Sequence, residues 1–379
     1  MLPETARPMS ADDHLIEPPD LWTARVPARF VDRAPKVVNV NGRDTWSYND
    51  ELTPLMMGTC RPLPGFTPTG HPGPESIGTA NFDEIRPGCY DPVARLEDME
   101  IDGVWGQLLF PNFARFAGHR FYLGVEDLDA GMLFMKTYND YLLDEWCAPH
   151  SERLFGSVIL PLYDMDLAVA ELKRTIDKGA KAISFSENPT VLGLPSVHTD
   201  YWDPLWAVAN EANIPVCMHI GSSSTLVNTS DDAPATVSLT LTGINSVLAC
   251  VDWLMSSTLD TFTSLNVVLS EGGVGWVPYI LERADKMFHD QRLGNMLVTR
   301  ELPSEKFAKN VHVCLVDESF AIRSLADLPL DNLLWEGDYP HGDGLWPDNL
   351  AYLKKVMSDV PDADALKIVE TNFRRVFNI

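Results

Sequence analysis

An acid, a skipped residue and an imidazole stand near the start of the chain, as Asp12 and His14 in "SADDHLIEPPDLW". Residues i and i+2 of a strand share a face, so both side chains can aim at one point. Four more groups of metal-ligand type follow short apolar runs. They are Glu187 in "SFSENP", His219 in "PVCMHIGSSS", Glu271 in "NVVLSEGG" and Asp338 in "LLWEGDYPHGD". Brought together, four carboxylates repel one another and raise each other's pKa, and one or two divalent cations remove that cost. Each residue also has a plain structural reading. His219 could be a satisfied core histidine, Asp12 could cap a turn, Glu187 could be a solvated loop acid, and Asp338 before Tyr-Pro suits a turn. Jointly those readings weaken, because they must place six ligand-type side chains at five strand ends by chance. His198 and His341 also follow strand ends, and are candidates for acid–base or supporting roles.

The elements that must position these groups are eight apolar runs: Pro8–Asp12, Val104–Phe110, Leu154–Pro161, Ala180–Ser186, Ile214–His219, Asn266–Ser270, Val311–Val316 and Asn332–Trp335. Most are near-continuous in Val, Ile, Leu and Phe, the pattern of parallel strands buried on both faces. Helical patterns lie between them, over Pro92–Glu100 behind an Asp91 N-cap, Asp127–Trp146, Asp166–Lys178, Asp203–Glu211, Val277–His289 and Asn349–Ser358. This alternation predicts an α/β fold, a (β/α)8 TIM barrel, as a single domain over 1–379. The competitor, an open doubly wound sheet, lacks a GxGxxG after the first strand. Barrel active sites sit where strands end and βα loops begin, which is where the six residues fall. The segment 22–90, from Trp22 to Tyr90, is rich in Pro, Gly and Thr and carries no sustained period. It is too long for an ordinary connection. It is expected to be an insertion after the first strand that covers the C-terminal rim, with a floppy surface loop as the alternative.

The 379 residues are 45% hydrophobic, ample for a large core, and the net charge is −25. Such a charge argues against nucleic-acid or anionic-membrane partners, which need patches of Lys and Arg. With no leader and no bilayer-length apolar run read from the sequence, a cytoplasmic protein acting on a small molecule is expected, as a homo-oligomer. The six cysteines are scattered without a CxxC, and reduced thiols are expected.

Five stretches carry a resemblance: "DDHLIEPPDLW", "RPGCYDPVARLEDMEIDGV", "LPSVHTDYWDPLWAVANEANIPVCMHIGSS", "SEGGVGWVPYILERAD" and "WEGDYPHGDGLWP". In kind and order they resemble the amidohydrolase superfamily, in the amidohydrolase-related branch that includes aminocarboxymuconate-semialdehyde decarboxylase. The resemblance implies the barrel and a metal. It also brings departures. The family opens with His-x-His, whereas Asp12 replaces the first histidine here. The strand-six histidine is Glu271. Glu187 stands near the place where dinuclear members carry a bridging carboxylated lysine. Carried over, the metal ligands are Asp12, His14, Glu187, His219, Glu271 and Asp338, with Glu187 and Glu271 also catalytic. So many oxygen donors suit iron or manganese better than zinc.

The chain is also similar to non-heme di-iron monooxygenases of diterpenoid antibiotic biosynthesis, of the platensimycin and platencin type. The favoured expectation is therefore a di-iron monooxygenase with two Fe ions, O2 as co-substrate and an electron donor or reductase. Its substrate would be bulky and lipophilic, lined by aromatics including Phe185, Trp276 and Tyr339. The alternative is a mononuclear Zn- or Mn-dependent hydrolase or decarboxylase. There Asp12, His14, His219 and Asp338 hold one metal and Glu271 acts as acid–base. A binding protein that has lost catalysis is the third reading.

Overall fold

Parallel strands bury both faces, so they need helices outside and side chains filling the inside. In the computed structural model, which describes residues 2–64, 78–291 and 298–379, eight strands meet that requirement. They are β1 (Met9–His14), β5 (Gly106–Phe110), β6 (Leu154–Val158), β7 (Ala182–Ser186), β8 (Val216–His219), β9 (Val267–Ser270), β10 (Val311–Leu315) and β11 (Leu333–Trp335). They pair side by side in that order, all parallel. The residues just past β11 return to β1. The Gly337 N–H donates to Ser10 Oγ at 2.7 Å, the Asp338 N–H to the Asp12 carbonyl at 2.9 Å, and the His14 N–H to the Tyr339 carbonyl at 2.6 Å. The result is the (β/α)8 barrel that the apolar runs predict; seven of the runs contain one strand each, and β1 overlaps the first run and extends two residues beyond it, to His14.

The barrel interior is filled by alternate strand residues, among them Met9, Leu108, Phe155, Cys217, Val268 and Cys314. The last helix, Asn372–Phe377, adds Phe373, Val376 and Phe377 to the same cluster. The Phe373 ring lies 5.7 Å from that of Phe155, centroid to centroid. Asp91 and Asp127 cap Pro92–Asp102 and Leu128–Asp140 by accepting the N–H groups of Ala94 and Ala130. The helix expected from Asp166 begins at Met165, because Asp164 takes the cap and accepts the Leu167 N–H. The helix Thr242–Met255 escapes a periodicity search. Its outward residues Ile244 and Leu248 are as apolar as its inward ones, so the contrast that marks an amphipathic helix is missing. All six cysteines are buried and free.

The segment 22–90, expected as an insertion after the first strand, contains an antiparallel sheet of β2 (Lys36–Val40), β3 (Arg43–Tyr48) and β4 (Glu51–Pro54). The first turn is Asn41-Gly42, with both residues at positive φ (52° and 82°). Asn-Gly between alternating residues is a strong hairpin signal, and it was present in the sequence. The sheet and its flanks pack on loops that follow barrel strands. Trp46 stacks on Phe113 at 4.4 Å, Arg120 Nη1 donates to Thr53 Oγ1 at 3.3 Å, and the Gly342 N–H donates to the Gly58 carbonyl at 2.8 Å. Residues 65–77 of the expected cover segment lie outside the described residues.

Phe373 is fully buried against the barrel interior. Phe373→Ala is expected to destabilise the fold by about 3–5 kcal/mol, as truncation of a buried aromatic generally does. Unfolding monitored by circular dichroism checks this.

Candidate metal centre

The register of β1 creates the centre. Ser10 pairs with Gln107 and Asp13 with Leu109, so β1 carries one extra residue between these pairs. Such a bulge turns the residues after it relative to those before it. Met9 and Ala11 belong to the barrel interior, and past the bulge Asp12 and His14 also face the mouth. Asp13 turns the other way and accepts the Tyr339 N–H at 2.8 Å. His219 ends β8, two residues after the interior Cys217. Glu271 and Asp338, just past β9 and β11, take left-handed backbone (φ 59° and 54°). That conformation is costly for a residue with a Cβ and persists where its surroundings enforce it. Beside Glu271 the chain runs close to the following helix, since a Cβ on Gly272 would collide with the Ser246 side chain.

His14 Nε2 and His219 Nε2 face each other at 3.1 Å. His14 Nε2 is 3.4 Å from Asp12 Oδ1 and 3.4 Å from Asp338 Oδ1. His219 Nε2 is 3.3 Å from Asp12 Oδ2 and 3.2 Å from Glu271 Oε2. His341 stacks on His14 at 3.8 Å and sets its Nδ1 3.0 Å from Asp338 Oδ1. Three overlapping ligand groups result: Asp12 with His14 and His219, His14 with Asp338 and His341, and His219 with Glu271 and Asp338. In each, the ligand atoms lie within 4.8 Å of one another. The groups share members and form one cluster.

Proton placement and charge suit this cluster to a cation. His219 Nδ1 lies 2.6 Å from the Ile220 carbonyl, and His14 Nδ1 lies 3.5 Å from that of Pro111. A carbonyl only accepts, so His219 Nδ1 carries its hydrogen and the His219 Nε2 lone pair points into the gap; the same tautomer of His14 turns its Nε2 lone pair there too. All four carboxylate oxygens of Asp12 and Asp338 are buried without a well-aligned donor among the described residues. Burial, joined by the charges of Glu336, Asp338 and Glu271, pushes the Asp12 carboxyl well above its usual range. Glu271 is pushed up in the same way, by burial and then by Asp338 and Glu336. Burial, with His341 beside it, lowers His14 to about 4, and burial with His14 lowers His219 well below its usual value. Asp338 runs the other way. Burial would raise it, but His341 and His14 outweigh that and hold it low. Imidazoles that resist protonation thus face two acids that resist ionisation and one, Asp338, that is held ionised, and a divalent cation would suit all of them.

Glu187 does not join the cluster. Its carboxylate accepts from Ser223 Oγ at 2.8 Å, from Asn245 Nδ2 at 2.9 Å and from Ser222 Oγ. The serines that follow His219 take the charge that a second metal would have needed. His198 lies on the surface beside Asp252. His341 lies within the cluster. Phe185 is core, edge-on to Trp202 and Trp206, and does not line the mouth. Trp276 is half-buried and donates to the Gly272 carbonyl at 3.0 Å. Tyr339 is buried, donates to Asp98, and lies under the Arg95 guanidinium at 4.3 Å.

Sequence reasoning overlooked Glu336. It is fully buried, is pushed up to about 8 by burial, and accepts the Glu271 N–H at 3.0 Å. Its signal was the period-2 continuation of β11 through Leu334, Glu336 and Asp338. Arg95 was also overlooked; it is buried and donates to the His14 carbonyl at 2.6 Å. Beside Glu271 and Glu336 a cavity of about 470 Å³ opens, lined also by Thr242, Gly273, Glu318 and Asp343.

The chain matches the family described as amidohydrolase over residues 84–379, and it belongs to that family. A gamma-resorcylate decarboxylase of a Rhizobium species is 26% identical over 305 residues, covering 75% of this chain and 86% of the relative. An amidohydrolase from Mycobacterium avium subsp. paratuberculosis superposes with a TM-score of 0.75 at 20% identity, over 100% of this chain and 99% of the other. A 5-carboxyvanillate decarboxylase from Novosphingobium aromaticivorans, solved with manganese and 4-hydroxy-3-methoxy-5-nitrobenzoic acid, gives a TM-score of 0.68 at 16% identity, over 99% and 97% of the two chains.

These findings overturn the di-iron expectation. The ligand-type residues form one His/Asp cluster, Glu187 is engaged elsewhere, and the curated sequence relatives are gamma-resorcylate decarboxylases. Two Fe ions, O2 as co-substrate, a reductase and a diterpenoid substrate in antibiotic biosynthesis fall with it. Among the described residues no helix is long and apolar enough to cross a membrane.

Glu187→Gln removes a charged acceptor from Ser222, Ser223 and Asn245. It is expected to cost about 1–3 kcal/mol of stability, the scale for a compromised buried hydrogen bond. Metal content per chain, measured by plasma mass spectrometry, should match the wild type.

Proposed function

We propose that the chain is a metal-dependent, non-oxidative decarboxylase of a hydroxylated aromatic acid. Asp12, His14, His219 and Asp338 would hold one divalent cation, manganese or zinc. The observation that carries this reading is the pair of imidazole Nε2 atoms facing each other at 3.1 Å among buried carboxylates that lack aligned donors. The decarboxylase relatives supply the reaction class. When bound, the cation supplies Lewis-acid polarisation of the substrate's carboxylate and the oxygen next to it.

The chain's own residues do the rest. Glu271 stands at the edge of the cluster, with its carboxylate 16% exposed and at the wall of the 470 Å³ cavity. It is placed to hold a proton against a substrate ring. The carbon–carboxylate bond breaks, its electron pair stays on the ring carbon, Glu271 delivers the proton there, and CO2 leaves. Glu336 fixes the turn that aims Glu271, through the Glu271 N–H. Phe116 covers the His219 ring at 4.0 Å and keeps water from that side. His341 braces Asp338 and the His14 ring.

Chelator-treated protein reloaded with Mn²⁺ or Zn²⁺ is expected to release CO2 from a member of a hydroxybenzoate panel that includes 2,6-dihydroxybenzoate and 5-carboxyvanillate. Silence across the panel with one metal bound would contradict the proposal. His219→Ala should abolish stoichiometric metal and turnover together. Glu271→Gln should keep the metal and lose about 10²–10⁴-fold in kcat, the usual contribution of a positioned acid–base group. Full activity in Glu271→Gln would remove it from that role.

A further inference from the structure

A second cavity, of about 230 Å³, lies between the β2–β4 sheet and the loops that follow β5 and β8. Tyr48 and Glu51 line it from the sheet side, Arg115, His119 and Arg120 from the loop after β5, and Ser224 from the loop after β8. The loop after β5 is firmly held. The Glu17 carboxylate accepts the N–H groups of Asn112, Phe113 and Ala114 at 3.2, 2.8 and 3.1 Å. The next residue, Arg115, takes left-handed backbone (φ 62°). Its neighbour Phe116 packs on His219. Consecutive residues thus place an aromatic ring on the metal cluster and a guanidinium at the adjoining cavity.

The other groups are also preset. Ser224 has left-handed backbone (φ 59°), and its hydroxyl lies 2.7 Å from His119 Nε2. His119 is 5% exposed, and its Nδ1 is buried without a partner among the described residues. With the proton on Nε2, His119 donates to Ser224 Oγ and leaves the serine hydrogen free to donate elsewhere. Arg120 is fixed by donation from Nε to the Phe113 carbonyl at 2.7 Å. Glu51, 73% exposed at its side chain, approaches Arg120 at 3.5 Å. Arg115 makes no ion pair among the described residues.

The exposed Glu51 carboxylate pairs with Arg120, the buried Glu17 carboxylate is engaged by the backbone N–H groups of the loop, and the Arg115 guanidinium has no ion-pair partner among the described residues, in a chain with 29 Lys and Arg against 54 Asp and Glu. Burial, with Arg115 nearby, lowers Arg120 to about 10, so the two cations are held together at a cost. An oxyanion relieves that cost through charge-assisted hydrogen bonds, which guanidinium donors form in fixed geometry. The geometry points to an oxyanion subsite in this cavity, which takes the carboxylate or phosphate group of a small organic ligand beside the metal cluster. Arg115 and Ser224 are the donors to it. The subsite stands on its own residues and does not depend on the decarboxylase reading.

Calorimetric titration of the metal-loaded protein with sodium sulfate tests this. One binding event is expected, weakened at least tenfold in Arg115→Gln and several-fold in Ser224→Ala, and retained after the metal is removed by chelation. Arg115 is exposed, so its substitution leaves the fold intact. Parallel titrations with acetate and with inorganic phosphate tell a carboxylate site from a phosphate site. Equal sulfate affinity in wild type and Arg115→Gln, or loss of binding on chelation, would overturn the inference.

Discussion

Two imidazole nitrogens 3.1 Å apart, His14 Nε2 and His219 Nε2, are the contact around which this barrel mouth is arranged. His219 Nδ1 faces the Ile220 carbonyl, so its Nε2 carries a lone pair, and the acids Asp12 and Asp338 beside the gap are buried. So close a gathering of imidazoles and acids survives in a fold only where rigid elements impose it. Here β1 and β8 do so, with the bulge between Ser10 and Asp13 and the left-handed turns at Glu271 and Asp338 completing the geometry. A cation in the gap would be a shared partner for these groups, and its binding energy would then be folding energy for the rim.

The surrounding shell follows from the same constraint. Arg95 is buried below the cluster and donates to the His14 carbonyl, to the Gly88 carbonyl and to Gln107, which fixes the end of β1. Tyr339, beneath that guanidinium, ties the chain after β11 to Asp98. Glu187, with Ser222, Ser223 and Asn245, fixes the loop that follows His219 against the helix Thr242–Met255. None of these residues is part of the cluster, yet each holds an element that carries one of its members. On the far side of Phe116 the polarity inverts, and two guanidiniums gather where the metal cluster gathers acids.

Much of this was legible in the sequence because barrel chemistry sits at strand ends. Asp12, His14, His219, Glu271 and Asp338 each close an apolar run, and the structure brings all five together. Glu187 has the same signature. What removes it is a tertiary fact, the serines and Asn245 that reach its carboxylate, and no spacing rule encodes that. His341 and His198 carry the same signal, a histidine soon after a strand end, and only the turn after Asp338, which stacks His341 on His14, separates them. Phe185 and Tyr339 looked like substrate lining because they are aromatic and near strand ends. Their neighbours, Trp202 and Trp206 for one and Arg95 and Asp98 for the other, place them in packing instead. The bulge in β1 leaves no trace in residue type, and it alone decides which of Asp12 and Asp13 faces the mouth.

The most direct test of this account is the number of metal ions per chain. Protein loaded with excess Mn²⁺ or Zn²⁺, freed of unbound ion and measured by plasma mass spectrometry, is expected to hold one divalent cation per chain, and His219→Ala to hold none. Two ions per wild-type chain, or full occupancy in His219→Ala, would contradict a single centre built on His14 and His219.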